Sequence, residues 1–303
     1  MRRATTDQLY FETGPSNAPT LRVRPGETFE VQTQLNRGPW LDSHPDGPRL
    51  TALLRGGNPS SGCIYVEGAG PGMVLTVHVG PIRLDPLGFT RFLGANGAMP
   101  GWLGGSGLGP LSRVVEIQHG QIFWGDGRTL PVEPMLGFVA TAPAFETWGN
   151  TWAGLYGGNL DVQELTTGAA ITLPVNVAGA LLHVGDMHAR QGDGEVCGSG
   201  GIEASGVVQL RCELSNVPPA FTWPRIVNAT HRMVAAQARP AEDAFRLALE
   251  AMVQWLEADG LPRGDAYLWL GQVLEARCTQ FVNPTFTYLA KVRHEYWPGA
   301  KTP

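Results

Sequence analysis

The sequence predicts a β-rich α+β protein: antiparallel sheets of sandwich-like β-units followed by a C-terminal helical segment. Three observations predict it. Gly (40 residues) and Pro (24) are abundant in the 303-residue chain, and they are spread along it, as turn chemistry between strands requires. The first 235 or so residues alternate apolar and polar in short runs, the mark of half-buried strands. Past residue 240 the apolar period lengthens to three and four, the spacing of a helix face. The chain is therefore divided into a β-rich core, 1–235, and a helical segment, 236–303, packed on it.

The strands follow in order. LRVRPGETFEVQTQL (21–35) is two alternating runs around Pro25-Gly26. CIYVEGAGPGMVLTVHVGPI (63–82) is a strand, a Gly-Pro-Gly turn and a strand. LDVQELTTGAAITLPVNVAGALLHVGD (160–186) alternates, turns at Gly168 and alternates again. A repeated β-unit and a plain antiparallel meander both give this pattern. Residues 88–113 are Gly-rich and poor in charge, yet Phe89, Phe92 and Trp102 oppose simple disorder. A loop this long is expected to be a lid or a subunit contact.

The first helix is expected from Pro240 to Gly260, with Glu242 and Asp243 in its first turn. Its buried stripe is Phe245, Leu249, Met252 and Leu256. A second helix is expected from about Asp265 to Arg277, stopping before Asn283-Pro284.

Composition excludes several classes. The net charge is −5 with no run of five like charges, which is not the footprint of a nucleic-acid binder. No apolar run is long enough for a membrane span, and no signal-peptide core follows the N-terminal arginines, so a cytoplasmic protein is expected. Cys63, Cys197, Cys212 and Cys278 match no CxxC spacing and read as reduced thiols.

Chemistry concentrates in GDMHARQGDGEVCGSGG (185–201), which holds Asp186, His188, Asp193 and Glu195. On a strand Asp186 and His188 share a face. Asp193-Gly194 is a turn signal, after which Glu195 would open a returning strand and point back at His188. One imidazole with carboxylates suits a divalent metal; acids capping backbone N–H groups of a polar turn would give the same spacing. YGGNLD (156–161) adds Asn159, Asp161 and two glycines that permit close backbone approach. HPDGPR (44–49), with His44 and Asp46, reads as a surface turn, and Glu67 faces either core or solvent. GSGG at 198–201 is not a GxSxG elbow. Cys197 stands beside the acidic cluster and supplies a rival nucleophile.

Several phrases together resemble the acetamidase/formamidase family. They are NPSSGCIYVEGAGPGMVLTVHV, PMLGFVATAPA, the stretch from Gly157 to Glu203, and AYLWLGQVLEARCTQFVNP, in the same order from about 58 to 284. The resemblance implies hydrolysis of short linear amides to a carboxylic acid and ammonia by a β-rich, homo-oligomeric, cytoplasmic protein with a divalent metal. The family phrase GGNxD falls on Gly157, Gly158, Asn159 and Asp161, and GDxHAxQGDGE on Gly185 to Glu195. Where members read GTAIE this chain reads GSGGIE, one residue longer before Glu203, so the carry-over to Glu203 stays open.

The combined reading assigns Asp161 and His188, with Asp193 or Glu195, to a divalent metal, zinc by expectation, that polarises the amide carbonyl and activates water. Glu195 and Asp193 are the expected proton-transfer groups, with Asn159 steadying the oxyanion. Gly157, Gly158 and Gln191 are expected to bind the small amide. The rival readings are a cysteine-dependent amidase using Cys197 and a non-catalytic binder of a small polar ligand.

Overall fold

Turn residues cut the first 240 residues into strands. The computed structural model describes residues 1–36, 57–92, 97–107, 111–199 and 201–299. His44 and Asp46 lie outside these described residues.

The described strands of three or more residues begin with β1 (Leu21–Val23), β2 (Thr28–Thr33), β3 (Ser60–Val66) and β4 (Met73–Phe92). A short helix, α1 (Pro100–Gly105), precedes β5 (Leu111–Gln118), β6 (Gln121–Gly125), β7 (Arg128–Pro131) and β8 (Met135–Ala140). Then come β9 (Gly157–Asn159), β10 (Ala170–Val175), β11 (Leu182–Arg190), β12 (Ile202–Asn216), β13 (Arg225–Val227) and β14 (His231–Ala238). Helices α2 (Ala241–Ala258) and α3 (Arg263–Val273) precede β15 (Glu275–Gln280) and β16 (Phe286–Arg293). Among the described residues no helix is long and apolar enough to cross a membrane.

Nearly all pairing is antiparallel, and one continuous curled sheet results. Its spine is the long ribbon of β4 against β12. Pro81 and Pro86 interrupt β4, and the ladder shifts register opposite them, at Gln209 and Ser205. A proline lacks the ladder N–H, so such shifts are where a strand tolerates it. β12 also pairs with β2 and β11, and β11 with β8 and β3.

The arms on either side of the sequence turns do not form hairpins with each other. β1 runs parallel to β3, while β2 pairs with β12.

The main core is mostly aliphatic around Phe29, with Ile64, Leu75, Leu173 and Val208 also fully buried. β14 is buried on both faces. Met233 and Ala235 enter the main core, and Val234 and Ala236 meet α2. This is the period-2 alternation of a strand between two packed layers. β14 and β16 pair along their full length, so the C-terminal segment extends the same sheet.

Four expectations change. α2 packs on Ala244, Ala248, Ala251, Met252 and Leu256; Phe245 and Leu249 are only half-buried, because the alanine face comes closest to the sheet. α3 ends at Val273, and Glu275–Gln280 is a strand, since pairing with β16 overrides local helix preference. Residues 160–167 are not a strand; Leu160, Val162 and Leu165 alternate because a buried loop packs on the core. Residues 88–92 finish β4, with Phe89 and Arg91 buried, so the Gly-rich loop is shorter than expected.

Candidate active site

The site grows from β11. Asp186 and His188 project from it two residues apart, with Asp186 Oδ1 3.4 Å from His188 Nε2 and both side chains buried. β12 places Glu203 directly opposite His188, its Oε2 3.8 Å from the same Nε2. The β11–β12 ladder is bulged beside this pair, and a Cβ on Gly201 would lie 2.0 Å from the Arg190 carbonyl oxygen. Glu203 thus reaches His188 across this bulge.

The third wall is the chain leaving β9. The Leu160 and Asp161 N–H groups both donate to the Gly137 carbonyl oxygen, at 2.9 and 3.1 Å. Asp161 adopts φ 51°, which turns its carboxylate inward. Gly137 on β8 makes the convergence possible: a Cβ there would lie 2.6 Å from both Asp161 Oδ1 and Asp186 Oδ2.

Amide side chains ring the carboxylates. Asn283 Nδ2 donates to Asp161 Oδ2 at 2.7 Å, and Asn36 Nδ2 to Glu203 Oε1 at 3.1 Å. Asn58 Nδ2 donates to Asn159 Oδ1 at 2.8 Å and to Asp186 Oδ2 at 3.3 Å. These bonds leave four buried atoms without a hydrogen-bond partner among the described residues: Asp161 Oδ1, Asp186 Oδ1, His188 Nε2 and Glu203 Oε2. Ligand atoms of Asp161, Asp186 and His188 lie within 4.8 Å of one another.

Burial and mutual repulsion shift the protonation of the cluster. Burial, then the Asp186 charge, pushes Asp161 up to about 7 and Glu203 up to about 8. Burial followed by Asp161 holds Glu195 well above the carboxylate range. Burial alone would depress His188, but Asp186, Glu203 and Asp161 outweigh it and hold it well above its ordinary value. Buried charges persist only when paired or bound to metal. An imidazole nitrogen and carboxylate oxygens, aimed at one point and otherwise unsatisfied, fit a divalent cation.

The expected site residues separate into those that reach this point and those that do not. Asp161 and His188 form its centre. Glu195 opens no returning strand: Gly194 (φ 80°) and Glu195 (φ 48°) close a tight single turn, which still buries Glu195 and points it into the cavity. Asn159 lines the same cavity, of about 260 Å³, with Asn58, Asp186, Glu203 and Asn283. Asp193 leaves the cluster: it is exposed and pairs with Arg277 Nε at 2.9 Å, because the same turn aims it at solvent.

Gly157 and Gly158 serve strand packing, with φ 87° and 107°, and Cβ atoms there would lie 2.3 Å from the Val139 and 2.4 Å from the Trp152 carbonyl oxygens. Neither they nor Gln191 lines the cavity; of the central three residues Asp186 does, and ligand atoms of Asp161 and His188 lie within 4.8 Å of its own. Gln191 is instead buried behind His188, accepting at Oε1 from Nδ1 at 2.7 Å. Cys197 is exposed and lies outside the cavity lining, although Gly198 and Ser199 belong to it.

Sequence reasoning left Asp186 out of the ligand set and missed Asn36, Asn58, Asn283 and Gly137. Asn58-Pro59 and Asn283-Pro284 read only as turn chemistry. Nothing local marks Asn36 or Gly137.

A profile of the Acetamidase/Formamidase family matches residues 150–219, the stretch carrying Asn159, Asp161, Asp186, His188, Glu195 and Glu203. The acetamidase of Mycolicibacterium smegmatis is 45% identical over 58 residues, which are 19% of this chain and 14% of that protein. The chain thus aligns with about one seventh of this curated relative's length. Whole-chain similarity comes from solved structures. A predicted acetamidase/formamidase from Thermoanaerobacter tengcongensis superposes with a TM-score of 0.91 at 27% identity, covering 100% of this chain and 98% of that one. An acetamidase from Bacillus halodurans gives 0.87 at 29% identity, covering 97% and 98%. The matched motif stretch and the full-length structural agreement make this chain similar to the acetamidase/formamidase family in sequence around the site and in fold throughout.

Proposed function

We propose that the protein hydrolyses short linear amides, of the formamide or acetamide type, to a carboxylate and ammonia, with a divalent cation held by Asp161, Asp186 and His188. The convergence of buried, unsatisfied ligand atoms of Asp161, Asp186 and His188 within 4.8 Å of one another carries the cation assignment. The amide assignment rests on the family and on the names of its relatives. A cation bound there acts as a Lewis acid toward a carbonyl oxygen and lowers the pKa of a water.

The chain's own groups do the rest. Glu203, anchored by Asn36, faces the same point from β12 and adds negative charge to hold the cation. Glu195 lines the cavity beside Asp161 and carries the proton to the leaving nitrogen, since an amide anion is a very poor leaving group. The carboxamides of Asn58 and Asn159 line the wall beside Asp186 and orient the substrate carbonyl. The cavity, about 260 Å³, falls below the roughly 300 Å³ at which ordinary ligand pockets begin. An imidazole among oxygen ligands favours zinc over calcium or magnesium.

The test is elemental analysis of chelator-free protein, with ammonia release from formamide and acetamide before and after stripping. Stoichiometric metal, with turnover lost on stripping and restored on return, is expected. Turnover indifferent to stripping would overturn the cation assignment and return attention to Cys197. Metal without turnover on either amide would overturn the substrate.

A further inference from the structure

We infer that Gln191 is a positioning residue that fixes the histidine tautomer of the cation site and ties two of its ligands together. This rests on the proposed cation at Asp161, Asp186 and His188. The argument begins with the amide group. Gln191 Nε2 donates to the Asp161 carbonyl oxygen at 3.1 Å and to the Thr279 carbonyl oxygen at 3.3 Å. Carbonyl oxygens only accept, so the nitrogen end of the amide is fixed there and the side chain cannot flip. The oxygen end therefore faces His188 Nδ1, at 2.7 Å.

An amide oxygen only accepts, so Nδ1 carries the hydrogen. In the neutral ring the lone pair then sits on Nε2, which faces Asp186 and Glu203. That is the tautomer a cation at this point requires.

The same side chain is a three-way tie. It joins the backbone of Asp161, the ring of His188 and the backbone of Thr279 on β15. Thr279 Oγ1 also donates to the Leu160 carbonyl oxygen at 3.3 Å, bracing the same loop. Gln191 is 6% exposed, so water does not compete for these bonds. Bulk alone cannot do this work, and neither can a group that donates without accepting.

The experiment compares wild type, Gln191→Met, Gln191→Glu and His188→Ala. Zinc affinity is read by competition with a chromogenic chelator, and the His188 ring is read by 15N NMR in zinc-loaded protein. Gln191→Met keeps the volume and removes every hydrogen bond. Its zinc Kd is expected to weaken about ten- to a hundredfold, in the range for outer-shell partners, with loss of the protected Nδ1–H signal. Gln191→Glu keeps the acceptor for Nδ1–H and should keep that signal.

Wild-type affinity together with an intact Nδ1–H signal in Gln191→Met would overturn the inference while the cation reading stands. Should the Met variant fail to fold, loss of the Nδ1–H signal in Gln191→Glu would overturn it. Equal zinc binding by wild type and His188→Ala, or none by either, would instead remove the cation reading itself.

Discussion

Gly137 carries no functional group, yet the site depends on it. A Cβ 2.6 Å from an oxygen of Asp161 and an oxygen of Asp186 is closer than real contacts allow, so both buried carboxylates would have to shift from their places in the cluster. Gly137→Ala should abolish stoichiometric zinc and turnover while circular dichroism stays that of the wild type. Full zinc occupancy in that variant would show that the two carboxylates do not act together.

The carboxyl groups also make a statement about pH. Burial first, and Asp186 second, raises Asp161 from 3.8 to about 7 and Glu203 from 4.5 to about 8. A carboxyl that binds its proton more tightly folded than unfolded stabilises the fold below its unfolded value and loses that contribution as pH rises through the folded one. His188, also raised, works in the same direction. Stripped protein should therefore lose stability as pH rises between about 4 and 8. Zinc replaces the protons, so the Tm gap between loaded and stripped protein should widen over this range. A gap that narrows would contradict the assignment.

At this scale the sequence revealed the charged residues and hid their partners. Asp186, His188, Glu195 and Glu203 fall within one short stretch and draw attention by density. Asn36, Asn58 and Asn283 are isolated amides in loops, and only the folded chain brings them to the carboxylates. Asp193 and Glu195 differ in role because two positive-φ residues decide which one turns inward, and spacing does not encode that.

Among the elements, β11 and β12 are the working pair, and their ladder sets Glu203 against His188. Strands with clean alternation, such as β4 and β10, were legible. The exceptions have specific causes. Residues 160–167 alternate without being a strand, and 275–280 form a strand because β16 is there to receive them. α2 is a packing element remote from the chemistry, and Met252 on it is fully buried against β14 and β16. Met252→Ala should cost about 2–5 kcal/mol of stability, the range for such truncations, and leave zinc affinity unchanged. A change in zinc affinity without a fall in Tm would place α2 in communication with the site.

For the whole molecule, the boundary near residue 235 marks a change of pattern more than of function. The cavity takes Asn36 and Asn58 from the N-terminal part and Asn283 from beyond α3. β16 pairs with β14 along its full length, and the Thr279 carbonyl oxygen accepts from Gln191. A chain ended after Ala238 should consequently fail to retain zinc even if its sheet forms. Stoichiometric zinc in that truncation would make the first 235 residues a self-sufficient unit.

Among the four cysteines, burial pushes the thiols of Cys63, Cys212 and Cys278 up to about 12, while Cys197 alone is exposed. The native chain therefore offers a single maleimide-addressable position, and its next two residues, Gly198 and Ser199, line the cavity. A fluorophore attached to Cys197 would sit at the cavity's edge without any engineered mutation, where its emission would follow metal loading and amide entry in real time.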